Sequence, residues 1–213
     1  MPWECYSAPG IGLFLERDCM NRDSPIACQQ ILRQDASVFS MQQMDLPAEL
    51  AAGLSAASLF ERYLQHIRRF TLGLIRPTCT EGQVHFRLLG TRLSLLAFDG
   101  PRAATDGKAQ SLTLSISGGL LVQPQSCDRG ELTFSCEPLA ETVRLTLRLA
   151  DFCPLLLGSS KPSPGRKILY RFTQAAIHKV VTLRFLARLY RERAGKNACC
   201  RVVPARWEQG EDI

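Results

Sequence analysis

The chain predicts an α+β fold, with an antiparallel β-sheet of six or seven strands wrapped around a long C-terminal helix and helices N-terminal to the main sheet. Residues 83–149 alternate apolar and polar side chains with a period of two, as antiparallel strands with one buried and one wet face do. Residues 166–194 form a helix-length run, apolar on two sides, bounded by Ser163-Pro164 and Gly195. Residues 58–75 repeat their apolar side chains at helical spacing. With 213 residues, 46% of them hydrophobic and 22% charged, the chain is suited to one packed core.

Residues 1–45 are the least defined part. Residues 10–15 read as a short first strand, and residues 25–33 as a short helix with Ser24 as N-cap and Pro25 in the first turn. The Gln-rich connection through Met44 carries no clear signal. Residues 46–195 are expected to form a single domain. A helix start at residues 45–49 is interrupted at Gly53, and Ser58 to Glu61 has capping-box spacing. Leu59, Phe60, Tyr63, Leu64, Ile67, Phe70 and Leu74 then continue an amphipathic helix that Pro77 is expected to end. Val84, Phe86 and Leu88 open the strand region. Residues 93–98, Leu112 to Ile116, residues 119–122, Leu132 to Cys136 and Val143 to Leu149 follow. A linker at 157–165 introduces the terminal helix, about 44 Å long at the standard rise. Residues 196–213 are expected to be a flexible tail.

On a wheel of 100° per residue, Leu169, Phe172, Ala176, Val180, Leu183, Leu186 and Tyr190 form one stripe of the terminal helix. Ile177, Val181, Phe185 and Leu189 form a second, so the helix reads as a core element with its charge pushed to its ends. Residues 161–201 hold eleven Lys/Arg and one acid, Glu192, a local charge of +10 against +6 for the whole chain; the remainder is mildly acidic. Lys161, Arg166 and Lys167 at one end, and Arg184, Arg188 and Arg191 at the other, are candidate anion contacts.

Chemical motifs are sparse. The nine cysteines include no CxxC pair, and no basic n-region with an apolar h-region opens the chain, so reduced cysteines in the cytoplasm are expected. Cys136 and Cys153 read as small buried apolar residues. No apolar run reaches the ~18 residues of a membrane span. His66, His85 and His178 lie on separate elements without metal-ligand spacing, and no nucleotide loop, nucleophile elbow or carboxylate pair is present. No metal, cofactor or catalytic residue is therefore assigned. His85, Arg87 and His178 are the polar site candidates. The strands lack solvent-facing aromatics on which bases stack, so nucleic acid is not the expected partner.

The order of elements resembles the START/SRPBCC helix-grip family, on residues 10–15, the helices before Pro77, the strands of 83–149 and the helix of 166–194. The resemblance lies in layout and involves no diagnostic residue motif. It implies an apolar cavity between sheet and helix that binds or carries a hydrophobic small molecule or lipid, and less often cyclase- or hydrolase-like chemistry. Phe86, Leu114, Ile116, Phe134, Leu145, Leu147, Phe172 and Leu183 are the candidate lining residues. The alternative is a peripheral membrane or protein-docking element, its basic helix ends meeting an anionic membrane surface or an acidic protein. A sparse enzyme site would require His85 or His178 to face a pocket beside a carboxylate.

Overall fold

The structure is a computed structural model that describes residues 23–124, 129–158 and 162–213. The strand expected at residues 10–15, and Lys161, lie outside the described residues. Ten strands among them form one sheet: β1 (Asp23–Leu32), β2 (Val38–Pro47), β3 (Ile75–Thr80), β4 (Gln83–Leu88), β5 (Ser94–Asp106), β6 (Ala109–Gly118), β7 (Glu131–Pro138), β8 (Thr142–Phe152), β9 (Cys199–Pro204) and β10 (Glu211–Asp212). Their order is β10-β1-β2-β8-β7-β6-β5-β4-β3, with β9 also on β1. Every pairing is antiparallel except β1 with β9. Helix α1 (Ala56–Phe70) links β2 to β3. The terminal helix runs as α2 (Pro164–Tyr170), a π-helical segment (Arg171–Ala175) and α3 (Ala176–Ala194).

The meander from β4 to β8 forms where the period-two pattern places it. Val84, Phe86, Phe98, Leu112, Leu114, Ile116, Leu132, Phe134, Cys136, Leu145 and Leu147 share one core with both long helices. Aromatic edges join the layers: Tyr63 of α1 lies 5.3 Å from the rings of both Phe134 on β7 and Phe185 on α3. Each such buried side chain contributes roughly 1.5–3 kcal/mol over an exposed one.

The first two strands replace elements the sequence misplaces. Of residues 25–33, expected to be helix, 25–32 are strand; Ser24-Pro25 imitates a helix start, but Pro25 falls near the beginning of β1, where a missing N–H is tolerated. The Gln-rich connection is β2, whose inward positions include Ser40 and Gln42, both fully buried. Polar residues on the core face hide the alternation that marks the other strands. Gln42 donates from Nε2 to Ser40 Oγ at 2.9 Å, and Gln30 of β1 donates to the Ala175 carbonyl at 3.1 Å, tying the sheet to the π segment. The domain start expected at residue 46 thus falls inside a strand.

Helix α1 both begins and ends earlier than expected. Its capping box is Ser55 with Ser58: Ser58 N–H donates to Ser55 Oγ at 3.1 Å, and Ser55 N–H to Ser58 Oγ at 2.9 Å. The helix closes in a Schellman motif, with Gly73 N–H on Arg68 O at 2.7 Å and Leu72 N–H on Arg69 O at 3.1 Å. Pro77 therefore does not end it, and sits instead in the edge strand β3, where proline is allowed. Leu72 holds the left-handed position of that motif at φ 53°, and Leu89, in the β4–β5 turn, does the same at φ 52°. A left-handed leucine costs about 1 kcal/mol relative to glycine. Residues 119–122 are turn, not strand, with only a bridge from Val122 to Pro154.

The C-terminal segment is attached along its length. Residues 199–204 pair in parallel with β1, and Trp207 packs on Ile31, Phe39, Met41 and Ala150 on the outer face of the sheet. Gln29 Oε1 accepts from the N–H groups of Trp207 and Glu208, at 2.7 and 3.0 Å, while Arg33 bridges Asp151 and Glu208. The expectation of a flexible tail is thus corrected: apolar surface on the outer face of β1, β2 and β8 needs this cover. Cys153 and Cys199 are each engaged in a disulfide bond, against the expected free thiol at Cys153, so the cysteines no longer argue for a reducing compartment.

The π segment shifts the phase of the terminal helix. Tyr170 and Ala175, five residues apart, are both buried, and Val181, Thr182, Phe185, Leu186, Leu189 and Tyr190 continue the inner face. Phe172, expected inside, is 75% exposed because the wheel assumed unbroken 3.6-residue turns. Two denaturation experiments check this account. Tyr170→Ala should cost roughly 3 kcal/mol in urea unfolding and Phe172→Ala less than ~0.5 kcal/mol. Trp207→Ala should cost about 2 kcal/mol, whereas an unattached tail would leave the midpoint unchanged.

Candidate functional site

The two long helices do not fill the sheet. Between α1, the terminal helix and strands β4 to β8 lies a cavity of about 340 Å³. Its sheet wall is apolar, formed by Phe86, Leu95, Leu96, Phe98, Ile116, Leu132, Leu149 and Phe152. Helix α1 contributes Tyr63, Ile67 and Thr71. The terminal helix contributes Tyr170, Thr173, Gln174, Ile177, His178 and Val181, so the polar atoms concentrate on the helix wall. Ile177 lines the cavity and is nevertheless 57% exposed, which marks the mouth. Gly119 lets the rim close: a Cβ there would stand 2.5 Å from the Leu95 carbonyl oxygen.

No Asp, Glu, Lys or Arg is among the described lining residues. Burial alone holds the His178 imidazole down at about 4, so the ring is neutral across the physiological range. Its side chain is only half-buried by area because its accessible surface opens onto the cavity rather than bulk water. Burial pushes the Tyr63 phenol up to about 12 and raises Tyr170 as well. Thr71 is committed to the chain, donating to Ile67 O at 2.8 Å and accepting from Ile75 N–H at 3.1 Å. Thr173 donates to Leu169 O at 2.6 Å. The ring nitrogens of His178 and the hydroxyl of Tyr170 have no hydrogen-bond partner among the described residues, and the Gln174 Oε1 is buried without one.

Of the eight expected lining residues, Phe86 and Ile116 are on the wall. Leu114, Phe134, Leu145 and Leu147 are nearly or fully buried in closed core, where side chains fill the space against α1 and α3. Leu183 packs against that core, and Phe172 faces outward for the reason of helix phase given above. His85 and Arg87 alternate with the core residues Val84 and Phe86, and so face the opposite side of the sheet, where His85 Nδ1 lies 3.5 Å from Ser94 Oγ. His178 is the one polar candidate on the wall, and no carboxylate lines the cavity beside it. The lining residues Leu95, Leu121, Leu156 and Ile177 were missed: Leu121 and Leu156 come from turns and Ile177 from the shifted helix, while Leu95 and its neighbour Leu96 both line the cavity from β5, against strict alternation.

The basic ends of the terminal helix differ in their surroundings. Arg188 Nε pairs with Glu192 at 2.8 Å and Arg62 Nη1 with the same carboxylate at 3.2 Å; these arginines, Arg188 foremost, hold its pKa low. Arg184 lies over the Phe70 ring at 5.4 Å, and Arg191 donates to Ala187 O. This end is largely satisfied within the fold. The cleft beneath it, lined by His66, Phe185 and Arg188, holds about 40 Å³, room for about one water. At the other end Lys167 pairs with Glu211 at 2.6 Å, while Arg166 is exposed.

Among the described residues no three His, Cys, Asp or Glu come together as a metal would require. No described helix is long and apolar enough to cross a membrane.

No protein-family model matches the chain, and no curated protein matches it. Among solved structures, the solution NMR structure of CalU16 from Micromonospora echinospora is similar at 10% identity with a TM-score of 0.31, over 62% of each chain. The crystal structure of CalU16 is similar at 12% identity with a TM-score of 0.33, over 81% of this chain and 94% of that one. Likeness this slight carries no weight for fold or function.

Proposed function

We propose that this protein binds a neutral, largely apolar small molecule in the cavity between the sheet and the terminal helix. The observation that carries the reading is the wall: about 340 Å³ of space bounded largely by apolar side chains, with no charged group among the described residues, within the ~300–1,000 Å³ usual for small-molecule sites. An ionised carboxylate or ammonium entering it would lose its hydration and meet no counter-charge, at a cost of several kcal/mol. A hydroxyl or carbonyl instead finds His178, Tyr170 and Gln174 along one side. The order β2, α1, β3 to β8 and long helix supports the helix-grip layout, with Val38–Pro47 in the place of the first strand.

A neutral fluorescent naphthylamine should gain emission on binding, and an otherwise similar probe ending in a carboxylate should bind at least ~10-fold more weakly, since burying the unpaired charge costs more than the ~1.4 kcal/mol that a tenfold represents. Leu96→Trp, which fills space in the cavity, should release the neutral probe without lowering the melting temperature. Equal binding of both probes, or no binding, contradicts the reading.

The His178 ring should titrate near 4 by NMR. Because that value lies below the ~6.5 of an unfolded chain, its contribution to stability is complete above pH ~6.5 and is lost as pH falls towards 4, by up to about 3 kcal/mol. Burial depresses His66 in the same direction. His178→Gln should therefore flatten the pH dependence of urea unfolding in that window without removing it.

A further inference from the structure

The loops at the cavity mouth are rich in leucine, glycine and arginine. Residues 68–76, 87–95, 118–124, 154–158 and 162–177 contain no Asp or Glu. Backbone hydrogen bonds knit these segments together: Leu89 N–H to Leu74 O at 2.7 Å, Leu120 N–H to Ser94 O at 2.9 Å, and Leu155 N–H to Leu121 O at 2.8 Å. On the helix side, Leu169 shares a surface depression with Leu155 and Arg166. Leu72, Leu74, Leu89, Leu93, Leu120 and Phe172, all exposed, give this end an apolar rim.

Folding does not account for that rim. Leu72 and Leu89 occupy left-handed backbone positions that favour glycine, yet they are 96% and 57% exposed and gain little burial in return. Arg76, Arg92, Arg166 and Arg171 stand exposed among the leucines, outside the ion pairs of the described residues. Arg76 spans two of the loops: its Nε donates to Gly73 O at 3.2 Å, and its guanidinium occupies the space that a side chain at Gly90 would need.

We infer that this rim docks on an anionic membrane surface. The leucines and Phe172 enter the boundary between headgroups and acyl chains, and the arginines meet lipid phosphates. Two copies face to face would set arginine against arginine with no acid to separate them, so the charge favours lipid over self-association. Ile177 at the mouth then faces the bilayer, giving an apolar ligand a path that avoids water. That use as an entrance rests on the cavity being a binding site, whereas the docking itself rests on the rim alone.

The test is cosedimentation of the full chain with phosphatidylcholine vesicles, with and without phosphatidylserine, beside Leu72→Gly/Leu89→Gly. Binding to the anionic vesicles should weaken as salt rises. The double variant should lose at least ~10-fold of it while its melting temperature holds or rises, because glycine suits both positions. Probe binding by the variant, followed in parallel, separates a failure of docking from a failure of the cavity. No binding of the full chain to anionic vesicles, or binding unchanged in the variant, overturns the inference. So does a concentration-dependent dimer that the same substitutions abolish, which would assign the rim to a second copy.

Discussion

Packing of the terminal helix on the sheet depends on one local departure from α-helical geometry. A continuous helix from Pro164 to Ala194 would turn Tyr170 about 110° away from the middle of the inner face formed by Val181, Thr182, Phe185, Leu186, Leu189 and Tyr190. The π segment at Arg171–Ala175 absorbs the mismatch with one wider turn. Gln30, reaching from β1 to the Ala175 carbonyl, anchors that turn to the sheet. Leu169 and Phe172 are rotated out to the surface, and the polar side chains of the next turn are left on a wall otherwise made of Phe, Leu and Ile.

From that constraint follows the division of the interior into two regions. Towards the C-terminal end of α3, Tyr63, Phe134 and Phe185 interlock and leave only a small cleft. Towards the π segment the helices diverge from the sheet and side chains do not meet across the gap, so a cavity remains. An empty apolar cavity forfeits dispersion contacts and is destabilising in proportion to its volume. The remainder of the core, with α1, the meander and β9 all contributing, must offset that cost. The charges follow the same division: Arg62 and Arg188 pair with Glu192 at the closed end, whereas at the open end only Lys167 is paired, with Glu211, and Arg76, Arg92, Arg166 and Arg171 are outside the ion pairs of the described residues.

The meander and the terminal helix were legible because their patterns are regular: the buried inward strand positions from Val84 to Leu147 are apolar, and Ser163-Pro164 and Gly195 flank the helix as capping residues do. β1 and β2 were hidden because Gln30, Ser40 and Gln42 occupy core positions, and because Ser24-Pro25 resembles a helix start. β9 escaped notice because its partner is the start of β1, some 175 residues away in the chain. At the site, Phe86 and Ile116 were readable from strand alternation. Tyr170, Thr173 and Gln174 were not, since a π turn leaves no periodic signature in the sequence and a wheel drawn through it points the wrong residues inward.

The central claim is that the space behind the shifted helix is a ligand site rather than a packing flaw. Methyl NMR of the protein with a saturating neutral naphthylamine tests it most directly, through intermolecular NOEs. The account predicts NOEs from the probe to the methyl groups of Ile116 and Ile177, which line the cavity from sheet and helix. Probe contacts confined to exposed leucines such as Leu120, with direct NOEs joining Ile116 to Ile177, would show a closed interior and contradict it.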